Sequence, residues 1–185
     1  MQPSAFIRSM HPKSEISPTL PAIEKILKSG WLGQMKVHGH RAQIHLPADP
    51  EVEPLAYTRQ GQPHKKLLPP EIIAELGRLF TVQKDWTVID CEWLKPANKL
   101  YLFDILKLDG EILRRLTYAE RYALLPRDFL SPHIQTLPLL RTANKCMDLL
   151  TSPLAHVEGL VFKSPTTKGF EDSSIVRCRK RLARA

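Results

Sequence analysis

Three imidazoles, a lysine and an arginine crowd the stretch QMKVHGHRAQIHL, Gln34 to Leu46. The first chemistry such a cluster suggests is metal binding, because imidazole is a common zinc ligand. Strand geometry speaks against it. Side chains alternate faces along an extended segment, so His38 and His40 share one face while His45 points the other way. No Cys, Asp or Glu lies in the stretch to complete a tetrahedron, and zinc is not expected here. A second candidate set is the pair of carboxylates in TVIDCEWL. Alternation puts Val88, Asp90, Glu92 and Leu94 on one face and Ile89, Cys91 and Trp93 on the other. An ionised carboxylate inside an otherwise apolar run is costly unless something partners it. Glu92 therefore reads as a functional group, whereas Asp90 fits a structural hydrogen-bonding role equally well. Near the C-terminus, VRCRK carries Arg177 and Arg179 two residues apart and so on one strand face, an arrangement suited to gripping phosphates.

These groups need elements to hold them. Residues 1–18, which contain Pro and Ser and lack periodicity, read as an N-terminal arm, and residues 19–185 as one domain with a basic C-terminal tail. TLPAIEKILKSG predicts a short helix with Pro21 near its start and Gly30 as a stop, and PPEIIAELGRLF predicts a second. Strands are expected from Trp31 to Leu46 and in LAYTRQGQPHKKLLP, the latter followed by a Gly-containing turn. TVIDCEWL and KLYLFDIL are close enough for an antiparallel hairpin. Thr117 and Glu120 have capping-box spacing at the head of a helix, TANKCMDLL predicts a last helix, and GLVFK and SIVRCRK two further strands. Strands outnumber crossover helices, so the fold class is α+β with mainly antiparallel sheets flanked by helices.

The chain has 185 residues, enough for one buried core. It lacks an apolar run long enough to span a membrane and an apolar signal core, which predicts a soluble protein with no membrane partner. Cys91, Cys146 and Cys178 show no Cys-x-x-Cys spacing, which argues for free thiols in a reducing, intracellular, cytoplasmic setting. A net charge of +8 and a pI near 9.5 suit a polyanionic partner.

Taken in order, KVHGHR, TRQG, IDCEWL, LYLFDIL, EGLVFK and VRCRK resemble the motifs of the nucleotidyltransferase superfamily of ATP-dependent DNA ligases, RNA ligases and mRNA capping enzymes. The resemblance covers about residues 31 to 180. KVHGHR is similar to that superfamily's Lys-x-Asp-Gly-x-Arg nucleophile motif, TRQG to its Ser-Arg-x-Gly motif, IDCEWL to its Asp-Gly-Glu strand and EGLVFK to its Glu-Gly-x-x-x-Lys motif. The implied fold is an ATP-grasp-like adenylation domain. Implied with it is a reaction in which Lys36 attacks the α-phosphorus of ATP, pyrophosphate leaves, and AMP passes from a lysyl-adenylate to a 5′-phosphate end. Arg41, Lys163, Arg177, Arg179 and a magnesium or manganese ion would supply positive charge beside the amine. Glu158 and Glu92 would hold the metal, with Glu92 also on the ribose side. Gln34 would read the adenine edge, Phe103 would stack on the base, and Arg59 would contact the ribose or the incoming phosphate.

Three features depart from the pattern. His38 stands where Asp is usual, as in phage and editing-type RNA ligases. Cys91 stands where Gly is usual. The sequence ends soon after the last basic strand, without room for the C-terminal oligonucleotide-binding barrel. The expected protein is a monomeric ATP-dependent polynucleotide ligase sealing 5′-phosphate and 3′-hydroxyl ends of nicked or broken duplexes, with DNA preferred over RNA. RNA ligase, a capping-type nucleotidyltransferase, and a non-catalytic module binding nucleotide or nucleic acid are the alternatives. Phosphate contacts are expected from Lys163, Arg177, Arg179 and the tail from Lys180 to Arg184. Strict alternation sets one puzzle, since it places Lys36 opposite Arg41 and Glu158 opposite Lys163, unless Gly39 and Gly159 permit a turn or bulge.

Overall fold

A computed structural model describes residues 2–181. Helix α1 (Leu20–Lys28) starts behind an extended Thr19 with proline in its first turn, where a missing N–H costs nothing, and gives way at Gly30, whose φ is 89°. Two strands follow, β1 (Leu32–Val37) and β2 (His40–Leu46), then a short β3 (Leu55–Tyr57) and helix α2 (Pro70–Leu79). The predicted hairpin is β4 (Thr87–Leu94) and β5 (Lys99–Leu108), antiparallel with Glu92 opposite Tyr101. Strand β6 (Glu111–Ile112) is a two-residue addition. Helix α3 (Tyr118–Ala123) opens on the expected capping box: Glu120 N donates to Thr117 Oγ1 at 3.2 Å, and Thr117 N to Glu120 Oε2 at 2.7 Å. Strand β7 (Ile134–Thr136), helix α4 (Ala143–Leu150) and strands β8 (Val157–Lys163) and β9 (Ile175–Arg179) complete the chain.

The strands form two sheets. The smaller has the order β1-β8-β9, and the larger runs β3-β2-β4-β5-β6 with β7 joining β5 in parallel. All other pairs of these strands are antiparallel, so the α+β expectation holds. Helices α1 and α4 cover the small sheet through Ile23, Cys146 and Leu150 against Leu160, Phe162 and Cys178. Helix α2 covers the large sheet, with Ile72 and Leu76 buried in the main core beside Ile44, Ile89 and Trp93. The three cysteines are free and buried. Among the described residues no helix is long and apolar enough to cross a membrane.

Both alternation puzzles resolve at glycines. The chain leaves the small sheet after Val37 and enters the large one at His40, so the two ends of the nucleophile motif belong to different sheets. A Cβ on Gly39 would lie 2.7 Å from the Trp93 carbonyl oxygen. In the pairing of β1 with β8 the register slips between Lys36 and Val37. Lys36 opposes Gly159 and Val37 opposes Val157, leaving Glu158 as the bulged residue. That bulge turns Glu158 toward Lys36 while Lys163 keeps its place further along the strand. Gly159 sits at φ 153°, and a Cβ there would collide with the Cys178 carbonyl oxygen and lie 2.8 Å from Arg179 Cα. Gly159→Ala is therefore expected to lower stability by about 2 kcal/mol or more, as read from denaturant unfolding, because the clash falls on backbone that cannot swing away.

Residues 2–18 run outside the helices and strands and are tightly fitted. Ile7 N donates to Gln43 Oε1 at 2.9 Å, Gln43 Nε2 returns a bond to Ile7 O at 2.6 Å, and Ile7 and Met10 belong to the core. Further on, Ile16 N donates to Arg177 O at 2.9 Å, which aligns the arm beside β9.

Candidate active site

A cleft of about 300 Å³ opens between the two sheets. The small sheet contributes Gln34 and Lys36 from β1, Lys163 from β8 and Arg177 from β9. The large sheet contributes Arg41, Glu92 and Phe103, and Arg59 comes from the turn after β3. Gln34 and Lys36 reach the cleft together because they are two apart on one strand face. Lys36 Nζ donates to Glu158 Oε2 at 2.6 Å, with both side chains about a quarter exposed. Nine of the ten predicted site residues thus line the cleft or, for Glu158, bond directly to a lining group. Arg179 does not: its guanidinium lies outside and donates to Glu15 Oε1 at 2.6 Å and to Oε2 at 3.0 Å.

Several groups are held more firmly than sequence alone suggests. Arg41 forms two bonds of 2.6 Å with the buried Asp90 and reaches Ser9 Oγ and Met10 O, so Asp90 has the structural role. Lys163 is 2% exposed. Its ammonium donates to Gln34 Oε1 at 2.8 Å and to the Tyr118 hydroxyl at 3.2 Å. Gln34 Nε2 in turn donates to Leu137 O at 3.1 Å, so reading an adenine edge would require one of its bonds to exchange. Arg41 lies 4.8 Å and Lys163 Nζ 4.6 Å from the Phe103 ring centroid, so a base stacking on Phe103 would share that ring with two cations.

Burial governs the protonation of the site. Burial pushes the Glu92 carboxyl up to about 7, against the opposing pull of Arg41, Lys36 and the Gly39 N–H. Burial likewise brings Lys163 down to about 7 from its ordinary 10.5, with Asp104 opposing. His11 falls to about 4 through burial and then through the charges of Arg41 and Arg59. Between pH 4.5 and about 7 the native Glu92 keeps a proton that the unfolded chain has released, so its contribution to stability falls as pH rises across that window. Above about 7, up to 10.5, the unfolded chain binds the proton that native Lys163 lacks, and stability recovers with pH. Glu92→Gln should remove the acid-side loss and leave the alkaline recovery in place, measured as Tm against pH.

The sequence does not announce His11, Pro12 and Tyr118 as parts of the site. His11 and Pro12 reach the cleft from the arm, whose residues have no period to mark a packed face. Tyr118 is visible only as the first residue of a capped helix. Among the described residues no three His, Cys, Asp or Glu side chains cluster as a ready-made metal cage. Glu158 and Glu92 nevertheless flank Lys36, and a hard cation keeping waters and substrate phosphates needs only one or two carboxylates. The donor set fits magnesium held in that way.

No protein-family model matches the chain, and no curated protein matches its sequence. Solved structures do match the fold. A mycobacterial DNA ligase D complexed with ATP and MES superposes with a TM-score of 0.52 at 18% identity, over 80% of this chain and 54% of that one. An archaeal ATP-dependent RNA ligase superposes with a TM-score of 0.53 at 17% identity, over 92% of this chain and 48% of its own. The chain thus has the fold of ligase adenylation domains and spans about half the length of these two proteins.

Proposed function

We propose that this chain is an ATP-dependent nucleic-acid ligase of the lysyl-adenylate type. The observation that carries the reading is the position of Lys36: an amine on a cleft wall, 2.6 Å from a carboxylate, facing a cleft lined by Arg41, Arg59, Lys163 and Arg177. Lys36 Nζ, once it has released its proton toward Glu158, forms a P–N bond to the α-phosphorus as the P–O bond to pyrophosphate breaks. Arg59 and Arg177 receive charge on the phosphates, and the tethered Arg41 and Lys163 hold the inner end of the nucleotide. The AMP then passes to a terminal 5′-phosphate as the P–N bond to Lys36 breaks, and a 3′-hydroxyl attacks that 5′-phosphate, expelling AMP and sealing the strand. Glu158 and Glu92 would hold magnesium, which when bound offsets charge on the phosphate oxygens. Support comes from the order of six motifs converging on one cleft and from a fold shared with a DNA ligase and an RNA ligase.

The test is intact mass after incubation with magnesium and each of ATP, GTP and NAD, followed by sealing of a nicked duplex bearing a 5′-phosphate. A gain of one AMP with ATP, followed by strand joining on DNA in preference to RNA, is expected. No adduct with any nucleotide overturns the reading.

A further inference from the structure

The arm joins the two walls of the cleft. Ile7 is bonded to Gln43 of β2, and Met10 O and Ser9 Oγ accept from Arg41 on the same strand at 3.1 and 3.0 Å. By Ser14 the chain has reached the small sheet, where Arg177 N of β9 donates to Ser14 O at 3.1 Å and Ile16 N to Arg177 O at 2.9 Å. His11 and Pro12 make the crossing and line the cleft. The crossing is held along its length. His11 N donates to Asp172 Oδ1 at 3.0 Å, Asp172 pairs with Arg8 and Lys13 at 2.7 and 3.0 Å, and the Pro12 ring leaves its φ little freedom.

The His11 ring itself serves none of these ties. His45 bonds to Ser4 and Gln43, His64 to Arg41 O and His133 to Asn98 O, while His156 stacks on Tyr101 and His38 and His40 are exposed. The half-buried His11 ring has no hydrogen-bond partner among the described residues. Its neighbours place it along a bound nucleotide. Arg41, 4.8 Å from the Phe103 centroid, marks the base end and Arg59 the phosphate end, and the charges of both reach His11, which burial had already brought down toward about 4. Between base and phosphates lies the ribose. A neutral imidazole offers one donor and one acceptor, the complement of a hydroxyl, whereas an imidazolium is disfavoured between two arginines.

We infer that His11 binds the ribose of the nucleotide, its imidazole bonded to the 2′- or 3′-hydroxyl from the arm side of the cleft. This rests on the ligase reading above, which puts a nucleotide there, and assigns recognition of the sugar to a residue outside the six motifs. The arm is then a wall of the site, and its ties to both sheets hold the imidazole in place before the nucleotide arrives.

Calorimetric titration of the wild-type chain and His11→Ala with AMP, 2′-deoxy-AMP and 3′-deoxy-AMP tests it. These probes lack the pyrophosphate leaving group and so bind without reacting. His11→Ala should weaken AMP by roughly 3- to 10-fold, the range for one neutral hydrogen bond, and the loss should vanish with the analogue that lacks the bonded hydroxyl. That analogue identifies which hydroxyl it is. An equal loss with all three probes, no loss with AMP, or a wild-type chain that does not bind AMP overturns the assignment. Should His11→Ala fail to fold by circular dichroism, the ring-nitrogen NMR resonances of His11 in the wild-type chain decide the matter. A shift with AMP that one deoxy analogue does not produce supports the contact, and no shift or the same shift with all three removes it. Intact mass with ATP and magnesium, taken on the same wild-type preparation, separates the contact from the chemistry. An AMP adduct with equal losses defeats the ribose assignment alone, and hydroxyl-dependent losses without any adduct defeat the ligase chemistry alone.

Discussion

Lys36→Ala is expected to abolish the AMP adduct, lowering nucleotide transfer by at least about 10³-fold, because the attacking lone pair is removed outright. Lys36→Arg should fail as completely, since a guanidinium keeps its charge at every accessible pH and offers no nucleophile. The ion pair with Glu158 sharpens the expectation. A lysine held only to bridge a carboxylate would accept arginine with little loss, whereas a nucleophile would not. Pulse incubation with radiolabelled ATP and denaturing electrophoresis reads both variants directly. An adduct that persists in Lys36→Ala at wild-type yield would show that another residue takes the nucleotide.

The second large effect is on folding. Arg121 is 0% exposed and forms two bonds with the equally buried Asp104, at 2.9 and 3.1 Å, while its remaining donors reach Leu116 O and Gly169 O at 3.0 Å. The guanidinium also lies over the Phe170 ring, 4.9 Å from its centroid. Asp104→Ala would leave a buried guanidinium without its counter-charge, and such losses cost about 3–5 kcal/mol. For a chain of this size that is a fall in Tm of roughly 6–20 °C. Replacing both partners, Asp104→Leu with Arg121→Met, should recover most of the loss, because a buried ion pair offers little net stability over apolar groups of similar volume. A single-variant penalty below about 1 kcal/mol would mean that water reaches Arg121.

Much of this architecture is legible in the sequence because local signals and tertiary context agree. The first helix is bracketed by Pro21 and Gly30, the α3 capping box is present in both its bonds, and the TVIDCEWL and KLYLFDIL hairpin pairs as its alternation implies. What stays hidden is non-local. Strand β7 exists because Ile134 to Thr136 find the edge of β5 from a distance, which three residues of pattern cannot announce. The arm is packed because Gln43, a polar residue inside a strand, supplies it with a donor and an acceptor. Glu158 reaches Lys36 only through a register slip, and period-two counting cannot contain a slip. Arg179 shares its strand face with Arg177, as alternation requires, yet Glu15 from the arm draws it outward.

The turn at His38 and Gly39 gives chain length a meaning of its own. Lys36 and Arg41 lie close in sequence but hang from opposite walls, so the two-residue link between the strands works as a spacer of fixed gauge. Adding one residue there would leave both hydrogen-bonded ladders whole while changing how the two walls face each other. Selection on such a link acts on its count as well as its composition. A deletion scan should therefore find it intolerant even though one of its two residues, His38, is exposed to solvent.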